Sequence, residues 1–142
     1  MILRVNYEEI QALRAGAKSF LAHADSASHR GGVLAPTESR ARVEALVHRL
    51  QGDLSLGTLD ELRKVQTGVA AIMESLRVEL ESAVLATHPA DEAAVAAYFD
   101  FAHGLSVASR LRDMAEEMEA MIELVCGEAP SLEAARTFRF PD

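Results

Sequence analysis

Apolar residues recur three or four positions apart along four long stretches of this chain. That spacing places them on one face of an α-helix, whereas a half-buried strand alternates apolar and polar residues. The stretches cover residues 7–24, 37–51, 58–87 and 91–125. Four amphipathic helices with short or moderate connections favour antiparallel neighbours. The sequence therefore predicts an all-α fold, an antiparallel bundle of about four helices forming a single domain over residues 1–142.

Local signals mark where some of these helices begin and end. Asn6 with Glu9, and Thr58 with Glu61, have the spacing of a capping box. In a capping box each of the two side chains accepts a hydrogen bond from a backbone N–H that the helix leaves free. Gly127 is typical of the residue that follows a helix C-terminus. These signals predict helix starts near residues 7 and 58 and a helix end near residue 125.

Three segments are expected to interrupt or follow the helices. Residues 26–36 contain two adjacent glycines and a proline, and we interpret them as a loop. Gly104 lies inside the fourth helix, where a glycine costs about 1 kcal/mol relative to alanine, and a break there is one alternative. After Pro130 the sequence predicts a short C-terminal helical turn and then an extended tail.

Small side chains dominate the apolar residues. Alanine supplies 25 of the 142 residues, whereas only seven residues are aromatic. Small side chains let helices approach closely, which suits a bundle more than a shell around a ligand. We therefore expect no cofactor.

The chain is acidic, with a net charge of −8 that is unevenly distributed. Residues 1–66 carry nine Lys or Arg against eight Asp or Glu, whereas residues 67–142 carry five against fourteen. An acidic half repels phosphate, which argues against nucleic-acid binding. The excess acid favours solubility, and attraction to a basic partner is the alternative. The most basic region is the outer surface of the second helix, which carries Arg40, Arg42 and Arg49.

Two further features suggest a cellular compartment. Cys126 is the only cysteine, so no disulfide forms within the chain. No apolar run approaches the roughly 20 residues that span a bilayer, and the first residues lack the apolar stretch of a signal peptide. We expect a cytoplasmic protein without membrane contact.

The fourth helix carries apolar residues on more than one side. One face is shared by Val107, Leu111, Met114, Met118, Met121, Ile122 and Val125. Tyr98, Phe101 and Leu105 lie on a different side, and Phe99 lies on a third. A helix that is apolar around most of its circumference is buried on more than one side. The segment 98–105 is therefore either central in the bundle or part of a homodimer interface.

The C-terminal tail offers two more aromatic side chains. Phe138 and Phe140 flank Arg139, and in an extended segment both rings lie on one side. Residues 1–5 form another short apolar segment, and the two segments either pair or fold back onto the bundle. A free tail that presents both rings to a partner is the alternative. The interface candidates are Tyr98, Phe99, Phe101, Leu105, Phe138 and Phe140.

Asp100 and His103 form the best polar pair for chemistry. Three residues apart on a helix, they lie side by side, and a carboxylate–imidazole pair can orient a catalytic base or supply half of a metal site. A hydrogen-bonded pair at the edge of the bundle is the structural alternative. Carboxylate-bridged di-iron bundles use two Glu-x-x-His pairs, and this sequence contains none. We therefore expect no metal.

These observations lead to two hypotheses for function. The first is a non-enzymatic interaction, adaptor or regulatory module that self-associates through the fourth helix or binds another protein. The second is a small helical enzyme, hydrolytic or metal-assisted, that uses Asp100 and His103. If the side chains at residues 98–105 are buried within the monomer, they belong to its core. If they are exposed, they are available for an interface.

Overall fold

The computed structural model describes residues 1–29, 37–86 and 91–142. In chain order its elements are β1 (Ile2–Leu3), α1 (Tyr7–His29), α2 (Thr37–Arg49), β2 (Leu54–Ser55), α3 (Leu59–Ala86), α4 (Glu92–Cys126) and α5 (Leu132–Thr137). The helices pack against one another and strand is sparse, which confirms the predicted all-α bundle.

The long helix α3 lies at the centre of the bundle. It packs against α1, α2, α4 and α5, and α1 also packs against α4. Arg63, in the first turns of α3, forms an ion pair with Glu119, near the end of α4, at 3.3 Å. Further along α3, Met73 lies against Gly104, which comes earlier in α4, so the two helices run antiparallel. The buried core draws on every long helix and includes Leu13, Ala17, Val43, Leu46, Leu62, Ile72, Leu76, Leu111, Met118 and Ile122.

The predicted capping signals form in the structure. Asn6 Oδ1 accepts a hydrogen bond from the Glu9 N–H at 2.8 Å, and Glu9 Oε1 accepts one from the Asn6 N–H at 3.0 Å. Thr58 Oγ1 accepts from the Glu61 N–H at 3.1 Å, whereas the Glu61 carboxylate accepts from the Gly57 N–H at 2.9 Å and not from that of Thr58. Gly127 adopts the left-handed conformation, with φ 77°, and closes α4. The capping box at Asn6, the capping role of Thr58 and the C-terminal glycine are confirmed.

One sequence prediction about helix continuity is wrong, and one open alternative is not realised. α1 continues to His29, so residues 26–29 are helical where we expected a loop, while residues 30–36 lie outside the described part of the chain. Residues 26–29 contain neither glycine nor proline, so nothing local ends the helix there. α4 runs unbroken through Gly104. A Cβ at this position would lie 2.6 Å from Met73 Sδ, so the glycine marks a close helix crossing and not a break.

A small backbone ribbon closes one end of the bundle, and the periodicity did not predict it. β1 and β2 pair antiparallel, with Leu3 opposite Leu54. The C-terminal tail joins them, because the Phe140 N–H donates to the Gly57 carbonyl at 2.7 Å. The amino group of Met1 donates to the Pro141 carbonyl at 2.9 Å. Both terminal segments thus meet on residues 54–57 and fold back onto the bundle.

Candidate interaction surface on helix α4

The first half of α4 exposes apolar side chains on the side that faces away from the core. Successive helix residues are about 100° apart, and the buried residues of α4, including Gly104, Val107 and Leu111, lie on the opposite side. Four large side chains are exposed, namely Val95 (41%), Tyr98 (58%), Phe99 (55%) and Leu105 (52%). Ala102 is exposed among them. We call these five residues the outer face of α4.

Within the outer face, four residues have coiled-coil spacing. Val95, Tyr98, Ala102 and Leu105 are separated by three, four and three positions, the alternation of a and d residues in a heptad repeat. We call these four residues the α4 seam. Phe99 lies beside the seam, and its ring meets the Tyr98 ring edge-on at 5.8 Å. Asp100, on the core side, is the only Asp, Glu, Lys or Arg between residues 93 and 109, so the seam is uncharged.

Apolar exposure at this end of the bundle extends to α3. Val78, Val84 and Leu85 are exposed in the last part of α3, which precedes α4 in the chain. Large apolar side chains in water are unfavourable at about 25 cal/mol for each Å² left exposed. A surface with several of them is characteristic of a protein contact.

Three of the six interface candidates do not belong to this surface. Phe101 is half-buried and packs against the core. Phe140 is only 5% exposed, and Phe138 is half-buried with its ring 5.0 Å from that of Phe140. The tail is therefore folded onto the chain, and the alternative of a free tail presenting both rings is wrong. The bond from the Phe140 N–H to the Gly57 carbonyl anchors the tail in this position.

A second group of exposed apolar residues occupies the other end of α4. Met121, Leu124 and Val125 are exposed, although the sequence placed Met121 and Val125 on the core stripe. The Arg63–Glu119 pair shows that α3 begins close to this level, so the last turn of α4 extends past the start of its neighbour. Acidic residues are interspersed here, at 116, 117, 119 and 123, unlike along the α4 seam.

Asp100 and His103 are both half-buried, and they face α3. Burial raises the pKa of Asp100 above its ordinary value, and the nearby charge of Glu79 on α3 raises it further, while His103 acts in the opposite direction. Among the described residues, no three His, Cys, Asp or Glu side chains lie close enough together to hold a metal ion. A catalytic role for this pair stays a prediction.

The sequence did not predict the ion pair between Glu9 and Arg110. The Glu9 side chain is only 4% exposed, and its carboxylate accepts a hydrogen bond from the guanidinium of Arg110 on α4. Burial acts to raise the pKa of Glu9, but bonds from Arg110, the Asn6 N–H and the Ser106 hydroxyl outweigh it, so the pKa is lowered. Sequence reasoning found the capping role of Glu9 alone, because Arg110 lies 101 residues away.

The basic region predicted on α2 borders a small cleft of about 120 Å³ against α3. Arg42, Arg49 and Lys64 line it above an apolar floor that includes Leu46 and Val65. Two of these cations are already paired within the chain. Arg42 lies 3.9 Å from Glu38, and Lys64 lies 3.0 Å from Asp60. These pairs neutralise much of the local positive charge.

Comparisons with protein-family models, with curated proteins and with solved structures find no match to this chain. Within the described ranges, none of the helices combines the length and the apolar character needed to cross a bilayer. The candidate surface therefore rests on the geometry of α4 alone.

Proposed function

We propose that this protein is a non-enzymatic interaction module that self-associates through the outer face of α4. The observation that carries the proposal is the exposure of Val95, Tyr98, Phe99 and Leu105 on one uncharged side of a helix whose opposite side packs against the core. Association of two such faces removes apolar area from water, which is the main favourable term in most protein association.

The spacing along α4 supports a helical partner over a small ligand. Coiled-coil spacing is required for knob-into-hole packing against another helix, and small-molecule binding gives no reason for it. Ligand sites are concave with a few converging polar groups, whereas the outer face of α4 is a helix ridge. A ridge of this kind fits another helix surface.

Analytical ultracentrifugation at micromolar concentrations tests the proposal. We expect a reversible dimer whose dissociation constant rises about tenfold or more in Leu105→Glu, since a carboxylate would be desolvated in an apolar contact. Leu124→Glu is the matched control. Leu124 lies on the same helix and is 85% exposed, but it is outside the outer face.

Circular dichroism of each variant establishes that the fold is retained. A wild-type chain that sediments as a monomer throughout this range would overturn the proposal. Equal weakening by both substitutions would also overturn it, because the contact would then not be specific to the outer face.

A further inference from the structure

We infer that the partner on the outer face of α4 is a second copy of this chain. The two α4 helices run antiparallel about a two-fold axis that crosses them at the level of residue 100. This inference rests on the proposed self-association and adds its geometry. It follows from the sizes of the α4 seam residues and from the charges at the two ends of the seam.

Two symmetric arrangements are available to paired helices. A parallel pair places each seam residue against its own copy, whereas an antiparallel pair places each a residue against a d residue of the partner. In the antiparallel arrangement Val95 meets the partner's Leu105, and Tyr98 meets the partner's Ala102. The mean residue number of both pairs is 100, so one axis satisfies the whole seam.

Side-chain volume favours the antiparallel arrangement. It sets the largest seam residue, Tyr98, against the smallest, the partner's Ala102, and so keeps the distance between the helices nearly constant. A parallel pair would stack two tyrosines in one layer and two alanines in another. The alanine layer would then leave a void whose lining loses its contacts, and such voids are destabilising.

The charges beyond the seam favour the same arrangement. Asp91 precedes Tyr98 by seven residues and therefore continues the seam toward the start of the helix. A parallel pair would set Asp91 against the partner's Asp91, and like charges across a helix contact are unfavourable. An antiparallel pair sets it against the partner's Ser109, whose hydroxyl can donate a hydrogen bond. The Asp91 carboxylate makes no capping bond of its own within the described part of the chain.

Distances between spin labels test the orientation. We would replace the exposed Cys126 by serine and introduce either Asp113→Cys or Glu92→Cys for labelling, since both positions are exposed and lie outside the α4 seam. Residue 113 lies thirteen positions from the two-fold axis on each helix, so at 1.5 Å per residue the two labels lie about 39 Å apart along the helix direction. Residue 92 lies eight positions from that axis, which gives about 24 Å. A parallel pair places both labels about 10 Å from their copies, which is the distance between packed helices.

Electron–electron double resonance on the dimer then separates the two proposals. Long distances at both positions support the antiparallel pair. Short distances at both positions overturn the orientation while leaving self-association intact. Absence of a dimer in sedimentation overturns both.

Asp91→Asn provides a second test without labels. In the antiparallel pair the dissociation constant stays within about twofold, because an amide oxygen still accepts from the partner's Ser109. In a parallel pair the removal of facing carboxylates would tighten the dimer several-fold, and that result would contradict the inference.

Discussion

At the scale of single residues, Glu9 has two structural roles. It completes the capping box of α1 through Asn6, and it holds α4 against α1 through Arg110. A buried carboxylate is costly unless donors surround it, and here a guanidinium, a backbone N–H and the Ser106 hydroxyl do so. The net result is a pKa below the ordinary value, which ties the stability of the fold to the ionised form of Glu9.

This arrangement predicts how stability depends on pH. The pKa of Glu9 is lower in the folded chain than in the unfolded chain, where it is about 4.3. The stabilising contribution is therefore complete above that pH and is lost as the pH falls through the folded-state pKa. Glu9→Gln should lower the free energy of unfolding at pH 7 by about 1–2 kcal/mol, allowing for the partial exposure of Arg110.

Urea denaturation at pH 7 and pH 3 checks this prediction. The difference between wild type and Glu9→Gln should shrink at the lower pH, because the stabilisation by the ionised carboxylate is lost progressively once the pH falls below the unfolded-state pKa. Glu8→Gln is the matched control in the same helical turn, since Glu8 is exposed. A constant difference at both pH values would contradict the role assigned to the ionised Glu9.

At the scale of the helices, two glycines lie where α1 and α4 approach α3 most closely. A Cβ at Gly16 of α1 would lie 2.6 Å from Ile72 Cγ2 and 2.8 Å from Leu76 Cγ, both near the backbone of fully packed side chains. A Cβ at Gly104 of α4 would meet Met73 Sδ, which lies toward the end of a flexible side chain. The first contact cannot yield without moving a helix, whereas the second can.

We expect Gly16→Ala to destabilise the bundle by about 1–3 kcal/mol, the usual cost of overpacking, despite the better helix propensity of alanine. Gly104→Ala should cost less and can be close to neutral, because the Met73 thioether can rotate and the helix gains up to about 1 kcal/mol. Thermal unfolding followed by circular dichroism compares the two. A larger loss of stability in Gly104→Ala than in Gly16→Ala would show that the rigid contact lies between α3 and α4 instead.

At the scale of the whole molecule, the two terminal segments close the end of the bundle opposite the exposed half of α4. Phe140 is buried there, and its backbone bonds to Gly57 between β2 and α3. The packing of the C-terminal tail and the proposed self-association therefore involve opposite ends of the molecule. Substitutions at one end should leave the other property unchanged.

Phe140→Ala tests this separation. We expect the free energy of unfolding to fall by about 3–4 kcal/mol, because a buried ring is lost and leaves a cavity. The sedimentation behaviour of the folded variant should match that of wild type. Phe138→Ala, which removes a half-buried ring from the same tail, should cost less. A variant that keeps full stability, or a folded one that no longer self-associates as wild type does, would contradict this assignment of roles.

The helices and most of their ends were predictable because they depend on residues within about four positions of one another. The stripes along each helix, the capping side chains of Asn6 and Thr58 and the left-handed Gly127 all belong to this local class. The end of α1 was misplaced because no local signal stops the helix before His29.

What the tertiary structure decided is which face of each helix is covered. Periodicity gives the angle of Tyr98, Phe101 and Leu105 around α4, but only the positions of α1 and α3 determine that Phe101 is packed and the other two are exposed. The burial of Phe140 and the Glu9–Arg110 pair likewise join residues far apart in the chain. Such contacts form only when the helices pack. Local patterns therefore determine which residues share a helix face, and the packed bundle determines which of these faces is exposed to water.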